Sequence, residues 1–307
     1  MSRMGDVLAG IHATWEFESD SVLIRFERGI RTPKLFQAIG ERRIPHEALA
    51  SVTLTPGKRG TVVLHAIPRP GADPLMEAAA GQLRDGSDPY RLVLPAEREV
   101  LAEYYADELR ASLLPEAKVP AEKFLVAAPS APLHFKAYDG KASFDGARVS
   151  FRWFWTGASS AKWKAGDQSF SLQELNGVEW RSPDVFDGYL RLLRRGDGGG
   201  GLTAYPGPEQ PAQADQDPAA VVFGLGYGPV HESLPFAAAV LGAVRSGSAA
   251  PGSMVAAEPV PVAVPVAGRR DPADIAERIR HLGDLREAGL VTDEEFAAKK
   301  AELLAEL

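Results

Sequence analysis

The chain has 307 residues, 45% of them hydrophobic, with a net charge of −7 and no cysteine. That length allows two domains and a small third, and the lack of cysteine excludes disulfides, thiolate metal sites and cysteine catalysis. The acidic balance argues against a nucleic-acid partner, which calls for a basic balance or stripe.

Residues 1–15 hold no apolar run long enough for a signal peptide. No segment reaches the ~18 uninterrupted apolar residues of a membrane span. The expectation is a soluble cytoplasmic protein, membrane-peripheral only if a surface patch makes it so.

Strands come first. Val22, Ile24 and Phe26 alternate with Leu23, Arg25 and Glu27, the two-residue period of a half-buried strand. Residues 61–67 and 90–94 read as further strands, separated by a less regular insert over 71–88. Pro95 then stands where a helix can start without losing a hydrogen bond. Val100, Leu101, Tyr104, Tyr105 and Leu109 follow at helical spacing.

The same order then recurs, and such repeats decide how a chain is read. Phe17, Val22 and Arg25 lie over Phe144, Val149 and Arg152 at one spacing. Gly40 and Ile44 lie over Gly166 and Phe170, and Leu49 and Val52 over Leu175 and Val178. In the second copy Phe151, Trp153 and Trp155 alternate, residues 189–193 and 220–223 are strands, and 196–218 is a loop-like insert with a glycine run. Pro235 precedes a final helix carrying Phe236, Val240, Leu241 and Val244. Several short strands and one closing helix suggest, in each copy, a strongly bent sheet plugged by that helix.

A linker follows, because prolines at 259, 261 and 265 remove amide donors and favour extended backbone. The tail is a helical hairpin. Asp271-Pro272 starts its first helix, Ile275, Ile279, Leu282 and Leu285 give it an apolar stripe, and Gly289 stops it. Thr292 and Glu295 form a capping box for a second helix bearing Phe296, Leu303, Leu304 and Leu307. So small a hairpin lacks a sufficient core of its own, so self-association or docking through these side chains is expected.

The tail, with its Gly-Leu-Val-Thr-Asp-Glu-Glu-Phe turn at 289–296 and its Lys-Lys-Ala-Glu-Leu-Leu ending, resembles the SHOCT family of short C-terminal bacterial domains. The doubled region, through Phe144-Asp145-Gly146 with Val149 and through Gly40, Ile44-Pro45, Leu49 and Val52, resembles the actinobacterial domain of unknown function 4429. That resemblance implies an α+β, mainly β chain. Its two pleckstrin-homology-like, partly open β-barrels would each be capped by a C-terminal helix, with a two-helix hairpin behind them. The expected segments are copy one at 1–115, a linker at 116–132, copy two at 133–247, a Pro/Ala/Val-rich linker at 248–270 and the hairpin at 271–307. The first copy departs from the pattern in having Phe17-Glu18-Ser19, and Pro45 becomes Ser171 in the second. The resemblance implies no reaction.

Chemical motifs are weak. Gly224, Gly226 and Gly228 follow a strand, but Pro229 stands where a dinucleotide fingerprint needs glycine. Gly57-Lys58-Arg59-Gly60 lacks the spacing and hydroxyl of a phosphate loop and reads as a turn. No two of the six histidines sit at metal-ligand spacing, and no nucleophile elbow is present. The reading is a chain with no cofactor, metal or catalytic residue.

Two constellations remain. Arg25, Arg28, Arg31, Lys34, Arg42 and Arg43 gather in the early part of copy one, as an anion- or lipid-binding cluster or as a solvated face balanced by Glu16, Glu18, Glu27 and Glu41. Trp153, Trp155 and Trp163 in copy two are either core or an interaction surface. The function expected is non-enzymatic binding or scaffolding of a protein or peptide, with anionic membrane binding through the basic cluster as the alternative.

Overall fold

The computed structural model describes residues 6–184, 187–195, 213–224, 226–248 and 297. Copy one opens with β1 (Asp6–Ala9), β2 (Ala13–Phe17) and β3 (Ser21–Phe26), followed by the short helix α1 (Lys34–Ile39) and β4 (Glu41–Pro45). These four strands form an antiparallel sheet in sequence order. A second sheet contains β5 (Leu49–Pro56), β6 (Thr61–Pro68) and β7 (Arg91–Pro95), with α2 (Pro74–Ala79) inserted before β7. The copy closes with α3 (Glu99–Ala111).

Copy two repeats this plan. A four-stranded sheet contains β8 (Leu133–Lys136), β9 (Gly140–Phe144), β10 (Arg148–Trp153) and β11 (Gln168–Ser171), with α4 (Ser160–Ala165) between the last two. A three-stranded sheet contains β12 (Leu175–Arg181), β13 (Tyr189–Arg194) and β14 (Ala220–Val222), and α5 (Val230–Ser248) ends it. The chain is therefore α+β and mainly β.

The two sheets of each copy are joined at equivalent points. The Ile11 amide donates to the Val93 carbonyl at 2.7 Å, and the Tyr138 amide to the Val222 carbonyl at 3.0 Å. Register shifts fall at matching places, between Leu49 and Ser51 and between Leu175 and Gly177. A bulge bends its strand, so the duplicated Leu-x-x-Val segments carry a duplicated bend.

The closing helices differ from the sequence expectation. Pro95 ends β7, and α3 begins only at Glu99 after a single 3-10 turn. Pro235 lies inside α5, which starts five residues earlier. In α3 the buried side chains are Ala102, Tyr105, Ala106 and Leu109; Val100, Leu101 and Tyr104 face solvent. At the same spacing α5 buries Ser233, Phe236, Ala237 and Val240, so both helices turn one i, i+3, i+4, i+7 face to their own sheets.

Their second faces diverge. In α5 the neighbouring positions are Leu234, Ala238 and Ala239, all buried; in α3 the corresponding ones are Glu103, Asp107 and Glu108, all exposed. The reason is that α5 packs against α1 and α2 of copy one. Leu35, Leu75, Ala78 and Ala79 of copy one thereby join the buried cluster of Phe135, Phe151, Trp180 and Phe236 in copy two. The copies lie within one compact unit, residues 1–252.

Polar contacts lock the same junction. The Gln82 side-chain amide donates to the Trp180 carbonyl and accepts from the Ser182 amide, each at 2.9 Å. Arg245 of α5 meets Glu77 at 2.8 Å and stacks over Phe124 of the connecting segment at 4.2 Å. Arg84 pairs with Asp184 at 3.2 Å.

Most of the 248–270 linker, and of the hairpin with Ile275, Ile279, Leu282, Leu285, Phe296, Leu303 and Leu304, lies outside the described residues.

Candidate recognition surface

Among the described residues each copy buries one ion cluster, and the two differ. In copy one, strand alternation places Arg42 and Ile44 inward while Glu41 and Arg43 point out. Arg42 donates through Nε to the Tyr90 hydroxyl at 2.7 Å and forms an ion pair with Asp73. Tyr90 in turn donates to Asp73 Oδ2 at 2.5 Å, while Asp73 Oδ1 caps α2 by accepting from the Leu75 amide at 2.8 Å. Burial works against the Arg42 charge, but Tyr90 and Asp73 outweigh it and hold its pKa above the ordinary value. Burial raises the Tyr90 pKa, so its phenol stays protonated and can donate.

In copy two, Lys162 is fully buried and donates to Asp139 Oδ2 at 2.5 Å, with its ammonium 5.0 Å from the Trp153 ring centre. Asp139 Oδ1 accepts the Val222 amide at 2.9 Å, which fastens the β8–β9 turn to β14. Burial pushes the Asp139 carboxyl up and the Lys162 amine down, while their mutual attraction opposes both shifts. Lys162 holds the third place of α4, as Phe36 does in α1, where it stacks on Phe26 at 4.5 Å.

Neither cluster is open to a substrate. An apolar crevice does exist at the opposite end of copy two, between Phe124, Pro129, Phe144 and Gly242, but no titratable side chain lines it.

The basic cluster is not gathered on one surface. Arg42 is interior and takes no part in a surface anion site. Arg25 pairs with Glu16 and Arg43 with Glu18 on the outer face of the sheet. Arg28, Arg31 and Lys34 stay exposed along the loop into α1, on either side of Ile30, whose side chain is fully exposed.

The tryptophans divide as well. Trp153 is core: its indole donates to the Gly166 carbonyl at 2.7 Å, so it leaves the expected interaction surface. Trp155 and Trp163 remain exposed and meet edge to face at 5.1 Å. Tyr138 and Tyr227, which the sequence reading did not single out, form a second edge-to-face pair at 6.3 Å. These four rings are between 40% and 54% exposed. The loops that carry them are packed together: Gly157, two residues beyond Trp155, lies so close to the Tyr138 carbonyl that a Cβ there would collide with it. The signal for Tyr227 was its place between two glycines, Gly226 and Gly228, which give an aromatic ring nothing local to pack on.

A family model described as a domain of unknown function, DUF4429, matches twice in tandem, over residues 15–110 and 142–241. Together those segments span well over half the chain. The chain belongs to the DUF4429 family. A second model, the short C-terminal domain SHOCT, matches residues 277–304. No curated protein matches the chain. The two DUF4429 segments begin at Trp15 and Ala142, partners in register of Ile24 and Phe151, and end within the closing helices. The family pattern thus follows the repeated sheets, whereas the aromatic rim and the Ile30 loop differ between this chain's two DUF4429 copies.

Proposed function

We propose that this DUF4429 protein is a non-enzymatic recognition protein. Its two copies are read as pleckstrin-homology-like modules, on the support of a four-stranded sheet, a three-stranded sheet and a closing helix in each. Fusion through α5 makes them one body, and the SHOCT tail serves self-association or docking.

The observation that carries this reading is the gathering of exposed apolar side chains at the loop end of the modules. Trp155, Trp163, Tyr138 and Tyr227 stand on the β8–β9, β10–β11 and β14–α5 connections of copy two, and Ile11 and Ile30 on the β1–β2 turn and the β3–α1 loop of copy one; Val100, Leu101 and Tyr104 are a separate exposed group on α3. Aromatic side chains with an exposed apolar body are the anchors of recognition surfaces. The side chains with reactive potential, Lys162 and Asp139, are closed in by packing instead.

The test is site-specific photo-crosslinking of the full chain in its native cell, with the probe at Ile30, Trp155 or, as a control at the opposite end, Ser19. Adducts from the first two positions alone support the reading, and equal labelling from all three refutes it. Light scattering on the full chain and on a version ending at Gly268 examines the tail: an oligomer that becomes monomeric on truncation assigns assembly to it.

A further inference from the structure

We infer that the loop end of the fused DUF4429 pair binds the surface of an anionic lipid bilayer, with Ile30 and the Trp155–Trp163 pair entering the interface. This rests on the loop end being the recognition face and names its partner.

The tip of copy one has the required chemistry. In residues 27–34 the cations Arg28, Arg31 and Lys34 stand against the single carboxylate of Glu27, and Ile30 projects between the two arginines. An isoleucine kept wholly in water is an uncompensated apolar surface, yet the loop holds it there. The Thr32 amide donates to the Gly29 carbonyl at 3.1 Å, and the Gln37 side chain donates to the Gly29 and Thr32 carbonyls at 2.9 and 2.8 Å. The loop is docked on the β1–β2 turn through the Glu27 amide to the His12 carbonyl, 2.9 Å, and Thr32 to His12, 3.3 Å. Ile11 is exposed on that turn. The β5–β6 turn, with exposed Lys58 and Arg59, reaches the same end through the Ala96 amide to the Gly60 carbonyl, 3.1 Å.

Copy two faces the same way. α5 contacts both α1 and α2 of copy one, and its last turn, through Arg245, meets Glu77 of α2 at 2.8 Å, which leaves its first turn, with His231, toward α1. Tyr227 is four residues before His231, and from it the ring pairs lead on to Trp155 and Trp163. The loops of copy one thus present cations and isoleucines, and those of copy two tryptophans and tyrosines. Trp and Tyr settle at the headgroup level of a bilayer with an apolar body and a polar edge. Basic side chains beside an anionic leaflet gain about 1 kcal/mol each.

The experiment uses the full chain with vesicles of phosphatidylcholine alone or mixed with phosphatidylserine. Binding is expected to the mixed vesicles only, weakening as salt rises. Trp15, Trp153 and Trp180 are already buried, so a blue shift of tryptophan emission on binding reports Trp155 and Trp163. Arg28→Gln with Arg31→Gln should weaken binding roughly twenty-five-fold, at about fivefold per cation. Ile30→Asp should weaken it at least as much, and Trp155→Ala with Trp163→Ala should abolish the blue shift. These side chains are exposed, and an unchanged thermal midpoint confirms folding. Equal binding to both vesicle types, or variants that bind like the parent, overturns the proposal. If the chain ignores every vesicle while probes at Ile30 and Trp155 still crosslink a protein, the bilayer is the wrong partner and the recognition face stands. If those probes are silent too, both readings fail.

Discussion

At the scale of single residues, the buried Lys162–Asp139 pair is a point where one atom decides much. Removing one member leaves the other charged and uncompensated, which costs about 3–5 kcal/mol. Lys162→Met should therefore lower the stability of the full chain by about that amount in urea unfolding. Adding Asp139→Asn keeps an acceptor for the Val222 amide and removes the orphan charge. The double variant should be more stable than Lys162→Met alone; strict additivity of the two losses would show that the pair is not coupled. His46 sets a pH dependence. Burial lowers its pKa below 6.5, with Asp20 opposing, and its Nε2 is buried with no partner among the described residues. The native ring is neutral, so below a pH of about 6.5 the unfolded chain takes up the proton first. Stability present above that pH is lost as the pH falls through the lower native value. The thermal midpoint should drop on going from pH ~7.5 to ~5.5, and His46→Gln should shrink the drop. His231 shifts the same way through burial, so some of it should persist.

At the scale of elements, the contrast between α3 and α5 rests on three positions. Ala238 is fully buried and shares one apolar cluster with Leu35, Leu75, Ala78 and Ala79 of copy one. Ala238→Glu should cost more than 3 kcal/mol, by burial of an unpaired charge. Its counterpart Asp107→Ala in α3 should stay within about 1 kcal/mol, losing only the exposed pair with Arg110. Chemical denaturation of both variants checks the contrast. Much of this level was legible in the sequence. The alternation of Val22, Ile24 and Phe26 placed β3, and the Phe-Ala-Ala-Ala-Val run at 236–240 already carried apolar residues on more than one helical face. Helix starts were less legible, since Pro95 and Pro235 invite a helix without fixing its first residue. The inward turn of Arg42 could be read from its phase with Ile44, but its partners Asp73 and Tyr90 lie 31 and 48 residues away. The Phe-Asp-Gly signature, present only in copy two, works locally through Asp145. Its carboxylate accepts the Ala147 and Arg148 amides at 2.8 and 2.7 Å and is held below the ordinary carboxylate pKa by them. The longer Glu18 bonds instead to Ser21 and Arg43.

At the scale of the whole molecule, the shared core predicts shared unfolding. With Leu35, Leu75, Ala78 and Ala79 packed into copy two's cluster, neither copy can open without exposing apolar surface on the other. Residues 1–252 should melt in one calorimetric transition whose van't Hoff and calorimetric enthalpies agree; two resolved transitions would contradict a common core. Copy one produced alone, as residues 1–115, should aggregate or self-associate through its bare α1 and α2. None of this was legible from either copy separately, because the junction is made by residues more than 90 positions apart, such as Gln82 with Trp180.

The way α5 lies across copy one also gives the pair a direction. A helix that closes its own module covers the module before it, which is how an array grows by addition. In α3 the matching face is Glu103, Asp107 and Glu108, a charged rail on which no earlier module can seat without stranding three carboxylates. Glu103 and Asp107 keep their exposed pairing with Arg110, and a module seated there would have to desolvate them, as it would the polar outer faces of repeat proteins.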